Sequence, residues 1–387
     1  MEAYLDNAAT TPVFDEVRDI MIRLMQEDFG NPSSKHTKGM DAEKYINEAR
    51  AEIAGRLKCQ PKEIIFTSGG TESNNMALIG GAMANCRLGK HIITTGIEHA
   101  SVHEPLAYLE EQGYEVTYLP VDELGHVDEK ALAEAVRPDT IIVSVMYVNN
   151  EMGAVQDIAR LSKTVKEKNA KVIFHVDAIQ AYGKYKIVPK KMGIDMMSVS
   201  GHKIHGPKGS GFLYVKDKTK IRPIIYGGGQ QKGMRSGTEN VPAIAGLGAA
   251  SKIIYTDHAQ RIEKLYGLKQ RLIDGIQEID GVIVNGVSGT ELKNTAPHIV
   301  SASFEGIKSE VMLHALADKG VFVSSGSACS SNHPELSGTL KAIGVRDELL
   351  DSTLRFSFSC LTEEKEIDYA VQVVKEVLPL LRRFTKK

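Results

Sequence analysis

Cysteine is scarce: four stand in 387 residues, Cys59, Cys86, Cys329 and Cys360, and no two form a C-x-x-C pair. That excludes a disulfide framework and a zinc knuckle, so any special thiol here acts alone. No segment approaches the ~18 consecutive apolar residues of a membrane span. The start, Met1-Glu-Ala-Tyr-Leu-Asp-Asn, has no basic stretch followed by an apolar run, so the expectation is a cytoplasmic protein with no membrane partner. Charge of one sign is missing too. Lys plus Arg number 47 and Asp plus Glu 49, a formal charge of -2, and no run of like charges could serve as a nucleic-acid-binding arm. No internal repeat and no Pro-rich linker divides the chain.

What is present is globular: 42% hydrophobic and 25% charged residues, with a length that suggests two or three domains. Short β-branched runs at 63–67, 91–95, 115–120, 140–148, 171–176, 195–200 and 211–215 alternate with amphipathic stretches such as 104–112 and 157–168. Such alternation predicts an α/β fold with a mostly parallel sheet covered by helices. After the glycine-rich stretch 227–237, a long amphipathic segment from 257 to 279 leads into strand, strand, helix, a Ser-rich loop, strand and a final helix. This predicts a smaller α+β unit. The division expected is a segment 1–15 that joins the small domain, a large cofactor-binding domain 16–255, and a small C-terminal domain 256–387.

His99, Asn150, Asp177 and Lys203 all fall at carboxyl ends of predicted strands. In open α/β sheets that edge gathers loops and helix N-termini around one crevice. Glu63-Ile-Ile-Phe-Thr-Ser-Gly-Gly-Thr-Glu-Ser-Asn74 reads strand, Gly-rich turn, helix, so backbone N–H groups near Gly70 and Thr71 can receive an anion. Lys203 follows an apolar strand within Ser200-Gly-His-Lys-Ile-His-Gly-Pro-Lys-Gly209, and Asp177 closes the apolar run Val-Ile-Phe-His-Val. A carboxylate there is costly unless it meets a cation or a strong donor. A lysine for an imine, an acid to keep a ring nitrogen protonated and a phosphate cradle together are what a pyridoxal phosphate site needs.

Four motifs make this specific: Ser-Gly-His-Lys203-x-His-Gly-Pro-Lys-Gly, His-Val-Asp177-Ala-x-Gln180, Thr-Ser-Gly-Gly-Thr71-Glu-Ser-Asn-Asn and Ser-Ser-Gly-Ser-Ala-Cys329-Ser. Together they resemble the cysteine desulfurases of the NifS/IscS branch of class V aminotransferase-like enzymes, from Tyr4-Leu-Asp-Asn-Ala-Ala-Thr-Thr-Pro12 to the last helix. The resemblance implies the fold type I architecture of pyridoxal phosphate enzymes and a homodimer. It implies that Lys203 carries the cofactor covalently, Asp177 pairs with the ring nitrogen, Gln180 donates to the ring hydroxyl and Asn150 lies near it. His99 would stack on the ring and shuttle protons. Gly70, Thr71, Ser200 and His202 would hold the phosphate, with Thr238 reaching across from a second subunit. Asn31 and Arg355 would receive the substrate carboxylate.

The resemblance further implies that L-cysteine becomes L-alanine while Cys329 takes the sulfur as a persulfide. From there the sulfur would pass to an acceptor such as an iron-sulfur scaffold or a tRNA-thiolation protein. An ordinary thiol needs help to ionise, and His99 or the substrate amine could take its proton. Residues 324–338, rich in Ser, Gly and Asn, are expected to form a mobile loop that delivers sulfur. Cys59 and Cys86 are expected to be packing residues. The chain departs from the family pattern at His333 and Pro334 and in Phe356-Ser-Phe-Ser-Cys360, so an acceptor does not carry over. Competing readings are an aminotransferase or a selenocysteine or cystine lyase of the same fold, a metal hydrolase using His99, His103, His202 and His205, and a noncatalytic sulfur relay. Loss of activity on replacing Cys329 by Ala separates the desulfurase from the aminotransferase. No H-E-x-x-H supports the hydrolase, and the presence of Lys203 disfavours the relay.

Overall fold

The computed structural model describes residues 1–287, 291–325 and 336–385. Its strands in chain order are β1 (Ala3–Tyr4), β2 (Ile64–Thr67), β3 (His91–Thr95), β4 (Glu115–Leu119), β5 (Thr140–Met146), β6 (Ile173–Asp177), β7 (Met196–Ser200) and β8 (Gly211–Val215), then β9 (Val282–Asn285), β10 (Ile299–Phe304), β11 (Val321–Phe322), β12 (Ser324–Ser325) and β13 (Thr353–Ser357). Seven form the main sheet in the order β2-β8-β7-β6-β5-β3-β4. The pairs β3–β4, β3–β5, β5–β6 and β6–β7 run parallel. The sequence did not reveal that β8 lies antiparallel to both β7 and β2.

Every residue of β5, β6 and β7 is buried, as expected where helices cover both faces. The pleat sends alternate residues to opposite cores: Val143, Phe174 and Val199 to one, Ile142, Ile173 and Met196 to the other. On the first face the helix Val241–Ile254, apolar on nearly all sides, packs against Thr37–Leu57 and Asp15–Gln26. Gly248 permits that crossing, since a methyl there would lie 2.7 Å from Ala49 Cβ.

The second sheet, β12-β13-β10-β9, is antiparallel. It buries Phe304, Phe356 and Leu354 against Leu268, Leu272 and Val374 of the helices His258–Gln277 and Glu364–Thr385. The beginning of the chain joins this half: β1 pairs parallel with β11, and Asp6 bridges to Ser357 of β13. The short helices Gly338–Ala342 and Asp347–Leu350 and the two-residue strands β11 and β12 are too short to show a period in sequence. Cys59 is half-buried, but Cys86 is exposed, which corrects its expected packing role. Among the described residues no helix is long and apolar enough to cross a membrane, and no group of three His, Cys, Asp or Glu side chains is placed to hold a metal ion.

Candidate active site

The carboxyl ends of the parallel strands open into a cleft of about 500 Å³, with β12 and β13 closing it from the other half. Gly70, Thr71, His99, Asn150, Asp177, Gln180, Ser200, His202, Lys203 and Arg355 all line it. Asn31 and Thr238 do not line it in a single chain. Asn31 sits in an exposed turn, its Oδ1 accepting from Ser33 N at 3.0 Å. Thr238 lines a separate depression of about 180 Å³ with Ser68 and Arg235. Cys329, His333 and Pro334 lie outside the described residues; β12 leads toward them and lines the cleft.

At one end, β2 turns through Gly69 into the helix Gly70–Asn75, which continues as a wide-turn stretch Met76–Gly80 and the helix Gly81–Asn85. No side chain caps its N-terminus, so first-turn N–H groups remain for an anion. A methyl on Gly70 would sit 2.2 Å from Ile179 Cδ1 and 3.6 Å from Ser200 Cβ, so a larger residue would have to push the Ile179 side chain aside. Opposite it, burial and the Lys203, Lys208 and Lys184 ammonium groups push His202 down to about 4. The ring is therefore neutral at pH 7, with Nδ1 3.2 Å from Thr10 Oγ1.

Asp177 ends β6 and is 4% exposed. Asn74 Nδ2 donates to its Oδ2 at 2.8 Å and Ile179 N to its Oδ1 at 3.0 Å. Burial pushes its carboxyl up from the ordinary range, so a cation on the cleft side is what would ionise it. Lys203, in the tight turn Gly201–Lys203 after β7, donates from Nζ to Ala8 O at 2.6 Å and Ala9 O at 2.8 Å. Gln180 Nε2 donates to the same Ala8 O at 3.0 Å, and its Oε1 faces Nε2 of buried His298 at 3.2 Å. His99 caps the helix Ala100–Glu111, its Nδ1 accepting from Ser101 N at 3.0 Å.

Arg355 is almost fully buried in β13. Its Nη1 donates to Asn150 O and its Nη2 pairs with Asp6 Oδ1, both at 2.9 Å, while Nε has no hydrogen-bond partner among the described residues. A buried donor without a partner is costly and marks a place where an acceptor is missing. Sequence reasoning missed Asp6, the carbonyls of Ala8 and Ala9, Asn74, Ser101 and His298. The first three lie in the quoted Tyr4-to-Pro12 motif, but carbonyl chemistry leaves no signature in residue type.

The class is set by the comparisons: residues 3–370 match the family profile described as Aminotransferase class-V, and the chain belongs to that family. Within it, the chain is 44% identical over 382 residues to a cysteine desulfurase IscS of Methanosarcina thermophila, covering 99% of this chain and 93% of that protein. It is 45% identical over 384 residues to a cysteine desulfurase IscS of Escherichia coli O139:H28, covering 98% and 93%. A solved NifS-like protein superposes with a TM-score of 0.92 at 36% identity, over 98% of this chain and 100% of that one. A NifS-like protein from Rickettsia africae gives 0.88 at 30% identity, also over 98% and 100%.

The cofactor of this family is pyridoxal phosphate, and the cleft suits it. It offers a close-packed helix N-terminus at Gly70 for a phosphate, a buried acid in need of a cation for a ring nitrogen, a lysine for an aldehyde, and the Arg355 guanidinium for a carboxylate.

Proposed function

We propose that the protein is a pyridoxal phosphate-dependent cysteine desulfurase that converts L-cysteine to L-alanine and moves the sulfur onto its own Cys329 as a persulfide. The observation that carries this reading is the convergence of Lys203, Asp177 and Arg355 on one cleft in a chain so similar to cysteine desulfurases.

Pyridoxal phosphate, when bound, would supply an electron sink for the charge left at the substrate α-carbon. Lys203 would hold the cofactor through Nζ and, when free, move the α-proton; the Ala8 and Ala9 carbonyls aim the amine. Asp177 would keep the proton on the ring nitrogen, and Gln180, fixed by Ala8 O and His298, would donate to the ring hydroxyl with Asn150 nearby. Gly70, Thr71, Ser200 and the neutral His202 would hold the phosphate. Arg355 orients the substrate carboxylate, its planar fork steadied by Asp6 and Asn150 O. Cys329 as thiolate attacks the substrate sulfur, the carbon–sulfur bond breaks, and the remaining three-carbon unit is protonated to alanine.

We read residues 16–255 as the cofactor-carrying domain and 256–387 as the domain that brings Arg355 and the Cys329 segment, with 1–15 strapping the two. A homodimer is supported by the apolar side chains of Ile22, Met25, Phe29 and Met40, all exposed on the first two helices and the segment between them. In such a dimer Thr238 and Asn31, which do not line the cleft of their own chain, would serve through the partner interface. The sulfur goes on to an acceptor for iron-sulfur cluster assembly or tRNA thiolation, and the location is cytoplasmic.

The test is to give the purified protein L-cysteine and a reductant, then measure alanine and sulfide while following a yellow, borohydride-sensitive chromophore. Alanine formation that is lost in C329A supports the reading. Transamination that survives C329A overturns it in favour of an aminotransferase.

A further inference from the structure

Asn74 and Ser101 join Asp177 to His99 through a continuous chain of buried hydrogen bonds. Asn74 Nδ2 donates to Asp177 Oδ2 at 2.8 Å and to Ser101 Oγ at 2.9 Å, and Ser101 Oγ lies 2.9 Å from His99 Nδ1. Asn74 and Ser101 are both buried, so bulk water does not compete for the Asn74 contacts, while His99 itself is half-buried at the cleft.

Each link fixes the direction of the next. Asp177, ionised beside a protonated ring nitrogen, can only accept, so it turns the amide nitrogen of Asn74 toward itself. That nitrogen gives its second proton to Ser101 Oγ, and Asn74 Oδ1 is left with no partner among the described residues. Because the Ser101 backbone N–H makes His99 Nδ1 an acceptor, the Ser101 hydroxyl, already accepting from Asn74, gives its one proton to that nitrogen. The Ser101 backbone N–H donates to the same nitrogen at 3.0 Å. With two donors aimed at Nδ1, the neutral ring carries its proton on Nε2.

We propose that Asn74 and Ser101 are positioning residues that lock His99 as its Nε2–H tautomer, so that His99 meets the substrate as a hydrogen-bond donor and not as a base. In its kinetic consequence the inference rests on the desulfurase reading above. A ring already protonated on Nε2 cannot take a thiol proton at that atom, which leaves the substrate amine to accept it. Among the described residues, the titratable groups facing His99 include Asp177 from β6, Glu151 from the loop after β5, His103 on the same helix, and Lys203 from the cleft wall. Ionised Asp177 and Glu151 would favour an imidazolium, but a proton on Nδ1 has to displace both Ser101 donors.

Neutron diffraction from the deuterated holoenzyme reads the tautomer directly and needs no variant to fold. A deuteron on His99 Nε2 and none on Nδ1 is expected; a deuteron on Nδ1 in the resting enzyme overturns the proposal. S101A removes one of the two donors. It is expected to slow alanine formation about fivefold and to move the acid limb of its pH profile by about half a pH unit, with S101T restoring both. A profile for S101A that overlays the wild type also overturns the proposal. A wild-type holoenzyme that shows the Nε2 deuteron yet forms no alanine supports the tautomer lock while refuting the desulfurase reading.

Discussion

Glu98 offers a test of the electrostatics beneath the site. Its carboxyl is buried beside β5: Oε1 accepts from Thr95 Oγ1 and from Met146 N, both at 2.8 Å, while Oε2 has no hydrogen-bond partner among the described residues. Burial, with a further contribution from Asp177, pushes it from an ordinary 4.5 up to about 8. At pH 7 the folded protein therefore holds a proton there that the unfolded chain has released, and stability falls as pH rises. That contribution is complete below pH 4.5 and is lost as pH climbs through 8. At ~1.36 kcal/mol per pH unit it amounts to about 3 kcal/mol between pH 4.5 and 7 and about 5 kcal/mol beyond pH 8. Glu98→Gln keeps the shape and both acceptor bonds but cannot titrate. Urea unfolding of the two proteins across this range should show E98Q gaining on the wild type steadily as pH increases, whatever their offset at low pH. A gap that stays constant from pH 5 to 8 would refute the reasoning, because it would mean that Glu98 is ionised in the fold.

Lys269 predicts the opposite slope. It is fully buried, donates to Thr295 Oγ1 at 2.6 Å and Ala296 O at 2.8 Å, and is pushed by burial from 10.5 down to about 7. The folded protein sheds this proton first, so the wild type should gain about 5 kcal/mol over K269M between pH 7 and 10.5 in the same assay; parallel curves would contradict it. Arg355→Lys cannot reach both Asn150 O and Asp6. It should raise KM for L-cysteine by about 10- to 100-fold with a smaller change in kcat, and an unchanged KM would remove Arg355 from the carboxylate site. Gly70→Ala forces a methyl within 2.2 Å of Ile179 Cδ1. Ile179 should be displaced in the cleft wall at a cost of about 1–3 kcal/mol, so dialysed protein should retain less pyridoxal phosphate absorbance than wild type; full retention would argue against the phosphate cradle.

The main sheet was legible because β5, β6 and β7 are buried on both faces and so read as short, mostly apolar runs ending near polar residues. The carboxyl ends of β3, β5, β6 and β7 pointed to His99, Asn150, Asp177 and Lys203 before any coordinates. The reversed strand β8 was not legible, since Gly-Phe-Leu-Tyr-Val buries the same pattern in either direction. Nor were the supports of the site: Ala8 and Ala9 act through carbonyl oxygens, and Asn74 and Ser101 act through proton direction, which depends on neighbours more than 20 residues away. The roles of Asn31, Thr238 and Cys329 come from resemblance alone.

The strap formed by residues 5–9 sets a timetable for synthesis. Asn7 Nδ2 donates to Ser357 O at 3.1 Å and Ala8 N to Ser357 Oγ at 2.8 Å, across separations of 350 and 349 residues. At ~5–20 residues per second, a ribosome needs about 20 to 70 s to produce the partner of a segment it made first. Throughout that interval the nascent N-terminus is an unmatched edge available to chaperones or proteases, and a transcript truncated before β13 yields a polypeptide whose opening residues have no Ser357 to hold.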